Sequence, residues 1–238
     1  NSVAGNTVLG ESALDASVSG GNNTAIGKTA LTTLTSGARN VGVGFESLLN
    51  LTTGDDNTAI GTGALNACTT ASDNVAIGRN ALVANTTGTK NTAVGTNCLD
   101  SNTTGDHNTA VGIDALGANT TGASNVAMGD RALQTNSTAN NNTGIGFKAL
   151  EANTTGANNV AVGRNALNLN TTADQNTALG DLTLAANTTG TANTAVGAQA
   201  LQANTTASNN TAVGFFALLA NTTGADNNAF GSGALDAN

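Results

Sequence analysis

The chain has 238 residues, a net charge of −8, only 9% charged residues, and no Pro, Trp or Tyr. Its cations (Lys28, Arg39, Arg79, Lys90, Arg131, Lys148, Arg164) are scattered and form no basic stripe, which argues against nucleic acid as a partner. No apolar run approaches the ~20 residues that span a bilayer, so no membrane insertion is expected in this segment, and no signal peptide is visible at Asn1.

A fixed period organises everything else. Asparagine recurs every 17 residues from Asn6 to Asn227, glycine follows four places later, and leucine four places after that. The consensus is Asn-Thr-Ala-Val-Gly-x-x-Ala-Leu-x-Ala-Asn-Thr-Thr-Gly-x-x, in fourteen copies without an insertion. Places within the unit are counted from this Asn. A helical solenoid fails, because Gly, Asn and paired Thr recur throughout and disfavour helix interiors. The pattern predicts an all-β fold, a parallel β-solenoid with one unit per coil. Thr-Ala-Val forms a strand whose fourth-place residue is buried, Gly allows a corner, Ala-Leu-x-Ala forms a second short strand, and Asn-Thr-Thr-Gly returns.

Taken in order, residues 1–22 are an irregular first coil and residues 23–238 a regular array forming a single elongated domain. In parallel stacking like lies on like. Asn57, Asn74 and Asn91 become rungs of an amide ladder, Gly61, Gly78 and Gly95 a corner, and Leu65, Leu82 and Leu99 an apolar spine. The twelfth place is apolar early (Leu34, Leu51, Cys68) and Asn from Asn85 onward, so a second ladder starts there. The early replacements are expected to lie under a neighbouring chain or domain. At the second place Val41, Val75, Val126 and Val160 replace Thr, which suggests an inward or half-buried rank. The small third-place residue then faces outward, and with the eighth-place Ala it marks a flat face where other chains pack. Charge and variation fall at the sixth, seventh, tenth, sixteenth and seventeenth places. Phe45, Phe147, Phe215 and Phe216 follow the Gly corner and are expected to be exposed contacts. Phe230 occupies a fourth place and is expected to be buried.

Chemistry finds little to work with. The chain has one His, His107, beside Asp106, which predicts a solvated pair and no nucleophilic triad. No catalytic residue, cofactor or metal site is expected. Asp55 and Asp56 lack the glycine-rich setting of a calcium roll, and zinc lacks ligands. Cys68 and Cys98 sit two coils apart, ~10 Å along the axis, too far for a disulfide. Asn-Thr-Thr matches the glycosylation pattern, as the repeat itself requires. Ice binding wants outward Thr pairs separated by one residue, and the corner pairs are adjacent. A glycan hydrolase needs a recurrent acid pair, and none occurs.

The unit resembles repeat arrays of trimeric fibre proteins: those upstream of the intramolecular chaperone of phage tail fibres and tailspikes, and the head domains of trimeric autotransporter adhesins of the Yersinia-adhesin type. The residues that carry the likeness are Asn-x-Ala-Val/Ile-Gly, as in Asn74-Val75-Ala76-Ile77-Gly78. The resemblance spans about Asn6 to Asn238 and implies a left-handed β-roll, assembled as a homotrimer or other homo-oligomer. It implies an extracellular place, on a virion tail or a bacterial cell surface, where a host glycan or protein is the receptor. The unit is longer than the adhesin head repeat, and the Tyr common after the Gly in tail-fibre arrays is absent. The array begins and ends in mid-pattern, as a segment of a longer protein would. The expectation is a non-enzymatic fibre segment; the alternatives are a self-assembling extracellular filament and an ice-binding solenoid.

Overall fold

The computed structural model describes residues 5–237 and contains no helix among them. It is a parallel β-solenoid whose coils repeat every 17 residues, in two compact units, Asn1–Thr121 and Gly122–Asn238. The first unit holds the three-residue strands β1 (Thr7–Leu9), β2 (Thr24–Ile26), β3 (Val41–Val43), β4 (Thr58–Ile60), β5 (Val75–Ile77), β6 (Thr92–Val94) and β7 (Thr109–Val111). The second holds β8 (Val126–Met128), β9 (Thr143–Ile145), β10 (Val160–Val162), β11 (Thr177–Leu179), β12 (Thr194–Val196), β13 (Thr211–Val213) and β14 (Asn228–Phe230). Within each unit every strand pairs in parallel with the next, Ala59 against Ala76 and Ala178 against Ala195, so like residues stack on like.

The strand's two sides are the reverse of the sequence expectation. The third-place Ala is fully buried, as Ala59, Ala93 and Ala161 show, while the second and fourth places face out. Two copies with glycine at the third place show why. A Cβ on Gly42 would stand 3.3 Å from Leu31 Cγ, and one on Gly144 would stand 3.2 Å from Leu133 Cγ. The leucine of the preceding coil already fills the space, so only a methyl group fits. The eighth-place Ala is buried too (Ala64, Ala81, Ala132), so neither alanine rank forms an outward packing face.

The second strand is also absent. Leu65 has φ of 51°, and the other leucines of this rank adopt the same left-handed conformation. That takes the chain out of the β region and through consecutive turns: Ala64 N–H donates to Gly61 O at 3.3 Å, and Asn66 N–H to Gly63 O at 3.3 Å. A left-handed L-residue costs roughly 1–2 kcal/mol. Burying a leucine side chain is worth about 1.5–3 kcal/mol, so burial offsets the backbone cost. Coils remain tied along the axis, as where Leu65 N–H donates to Ala81 O at 3.0 Å. The Gly corner is tighter still. Gly44 has φ of 134°, and a Cβ there would lie 2.6 Å from Gly61 O, so neighbouring coils approach too closely for any side chain.

Both asparagine ladders form. Asn57 Oδ1 accepts from Asn74 N–H at 3.1 Å and from Asn74 Nδ2 at 3.2 Å. Asn74 Nδ2 also reaches Gly88 O at 3.0 Å, and Asn91 continues the rank from Asn74 Oδ1 at 3.0 Å. The twelfth-place ladder starts at Asn85, whose Oδ1 accepts from Asn102 Nδ2 at 2.9 Å. Asn85 Nδ2 donates to Gly88 O at 2.9 Å, so the two ladders converge on one carbonyl. The leucine spine is buried throughout Leu65, Leu82 and Leu99.

Candidate functional site

With alanine inside, each coil presents its second and fourth residues to the surface, on one sheet face of each unit. The fourth place is aliphatic in thirteen of fourteen copies if Met128 is counted, with Phe230 as the other. None of the 28 residues at these two places is charged. Ile60, Ile77, Met128 and Leu179 are 37–42% exposed, and the second-place residues of β2 to β7 are half-buried. Single exposed apolar residues are ordinary on a protein surface; here they line up with threonine in one contiguous uncharged face. Parallel strands set its ranks ~4.8 Å apart, and the two outward places of one strand are roughly 6.6 Å apart.

Phe230 belongs to this face and is 70% exposed, which corrects the expectation that it is buried. Its rank points outward for the reason given above. Phe45, Phe147 and Phe215 are exposed, as expected of residues after the Gly corner. Phe216 is half-buried and stacks on Phe215, with ring centroids 3.8 Å apart. The four are spread along the chain, and only Phe215 and Phe216 meet. Leu34 and Leu51 are fully buried in their own coils and need no neighbouring chain to cover them. Leucine and cysteine here take the interior space that Asn fills later.

The remaining polar groups serve the coil. Thr52 Oγ1 donates to Thr69 O at 2.9 Å and Thr86 Oγ1 to Thr103 O at 3.0 Å, so the first corner threonine is tied to the next coil. Asn85, Asn102 and Asn153 are fully buried, so the Asn-Thr-Thr triplets offer no accessible glycosylation acceptor in the folded chain. Asp106 Oδ1 accepts from Thr89 N–H at 2.6 Å and Thr89 Oγ1 at 3.1 Å, while His107 is exposed beside it. Cys68 and Cys98 are free and buried. Burial pushes the Cys68 thiol up to about 11 and the Cys98 thiol up to about 12, so neither is a ready nucleophile. Arg39 makes a two-pronged contact with Asp56, at 2.6 and 2.7 Å, and holds its carboxyl below the usual range. That pair is exposed and adds little stability. Among the described residues no three His, Cys, Asp or Glu side chains come together as a metal cluster would require.

Sequence reasoning missed the sheet face because it placed the larger apolar residue inside. The available signal was the total absence of charge at two alternating places. No protein-family model matches the chain, and no curated protein matches it.

Proposed function

We propose that this chain is a non-enzymatic structural segment of an attachment fibre, in which three copies pack through their uncharged sheet faces at a cell or virion surface. The observation that carries this is the face itself: β-branched residues and threonine outside, alanine inside. Removing such aliphatic residues from water is worth about 25 cal/mol per Å². Stacking within the chain buries these residues only in part, and association would bury the rest. The interior offers ladders and spine in place of a reaction site, and the trimer follows the resemblance noted above. The sheet faces, not the alanine ranks, are the interface. Sedimentation equilibrium over a range of concentrations tests it. A constant mass of three chains is expected, and a single-chain mass throughout overturns the proposal.

One observation favours ice binding as a second reading. The outward places are separated by one buried residue, the spacing that the corner threonines lack. Val41, Val75, Val126 and Val160 interrupt the threonine rank, and the partner rank is aliphatic. Thermal hysteresis in a single-chain sample would establish it; its absence would leave the fibre.

A further inference from the structure

The second unit carries a cleft of about 520 Å³ away from the sheet face, formed by sixth-, seventh-, tenth- and eleventh-place residues of four successive coils. That volume lies in the range of small-ligand sites, roughly 300–1,000 Å³. Its cause is local departure from the repeat. Leu169 is the only leucine at the eleventh place, Leu182 the only aliphatic side chain at the seventh, and Ala185 the only alanine at the tenth. Large residues beside a small one leave a notch between stacked coils. Three such departures in two adjacent coils are not something a uniform array requires.

Leu182 is the most telling of them. Its φ is 53°, the left-handed conformation that every seventh-place residue holds and that Asn80, Asn97 and Asn165 tolerate better than a leucine does. The spine leucines from Leu31 to Leu218 share that conformation but are fully buried; Leu182 is only half-buried, so burial offsets less of the cost. The fold sets that conformation, since Thr29, Arg131, Lys148 and Phe216 hold it too; what singles out Leu182 is a half-buried aliphatic side chain at a place that is otherwise polar, glycine or aromatic.

The lining defines the ligand. Phe147, 44% exposed, offers an aromatic ring with Lys148 Nζ 5.6 Å from its centroid, and Leu169, 49% exposed, an aliphatic wall. Asn165 and Gln202 contribute side-chain amides that make no hydrogen bond among the described residues. Asn168 Nδ2 is held by Glu151 Oε2 at 3.1 Å. The one charge in the lining, on Lys148, is neutralised by Glu151 at 3.2 Å. An amide donates and accepts at once, as a sugar hydroxyl does, while ring and aliphatic surfaces fit the C–H face of a pyranose. We infer that this cleft binds a neutral pyranose residue of a surface glycan, an assignment that deepens the attachment reading and rests on it.

Leucine-methyl NMR of the full chain, titrated with methyl glucoside, methyl galactoside, methyl mannoside and methyl N-acetylglucosaminide, tests the assignment. At least one is expected to shift the Leu169 methyls, and Ala185→Gln, which fills the notch with the residue found at Gln134 and Gln202, is expected to abolish the shift. Leu182→Asn is expected to abolish it too without lowering the melting temperature, which separates binding from folding. No shift with any pyranoside, a shift that survives Ala185→Gln, or a stronger response to glucuronate or adenosine overturns the assignment. Sedimentation of the same sample separates the two proposals. Three-chain mass without shifts removes the cleft and leaves the fibre, and single-chain mass with shifts removes the fibre and leaves the cleft.

Discussion

The two sides of a single strand have opposite chemistry. In β6, Ala93 faces inward and is fully buried, whereas Thr92 and Val94 on the other side remain half-exposed. The smaller residue occupies the interior because the leucine opposite leaves space for one methyl group. The larger apolar residue is outside, where water alone gives it no stabilising partner. In a coil this thin, size decides which side is the core, and the bulkier apolar residues are left on the outer face.

The largest effect should come from reversing that preference inside. Ala93→Ile places three more carbons where only a methyl fits, and should cost about 3 kcal/mol or more. Denaturant titration reads this directly; a loss below about 1 kcal/mol would mean that the interior is wider than Ala93 and its neighbours indicate. Next comes the ladder. Asn170 Nδ2 donates to Asn153 Oδ1 at 2.9 Å, and its own oxygen accepts from Asn187 Nδ2 at 3.0 Å. Asn170→Leu leaves a buried oxygen and a donor without these partners, at about 1–3 kcal/mol. The early coils, which hold Leu34 and Leu51 at the same place, should not offset this, because their neighbours are not built to pair with an amide there. Thermal melting of the variant checks the loss.

On the outer side, Val94→Ala should change the stability of a separated chain by less than about 1 kcal/mol, yet weaken association measurably in a dilution series. The smallest effect concerns charge. Burial, and then the neighbouring Asp114, raise the pKa of Asp100 above its usual value. A raised folded-state pKa gives stability that is fully present below the unfolded pKa and is lost as pH rises through the folded one. Asp100→Asn should therefore raise the melting temperature slightly at neutral pH, with the gain vanishing in acid as the native carboxyl becomes protonated. A gain that persists in acid would show that charge is not the cause.

Much of the fold was legible because the repeat is strict. Asn57, Gly61 and Leu65 recur without exception, and each stacks on its own kind, so ladders, corner and spine followed from the period alone. The sign of the strand faces did not. Thr-Ala-Val alternates either way round, and only the position of Leu31 opposite Gly42 decides that Ala is inside. The missing second strand was hidden for a related reason. Leucine carries no mark of a left-handed backbone, and Leu65 adopts one because its burial outweighs the cost. The exposed Phe45, Phe147 and Phe215 were legible from their variable place beside the corner. The cleft was not, since Leu169, Leu182 and Ala185 matter together only once the coils are stacked.

The most direct test is the mass by light scattering of the wild type beside a variant with two lysines on one face, Val94→Lys with Val111→Lys. Both side chains point outward, so the coil should fold with an unchanged circular dichroism spectrum. Three chains in the wild type and one in the variant is the expected result. A wild type that remains a single chain, or a folded variant that keeps the wild-type mass, would contradict the claim that the uncharged sheet face is where copies meet.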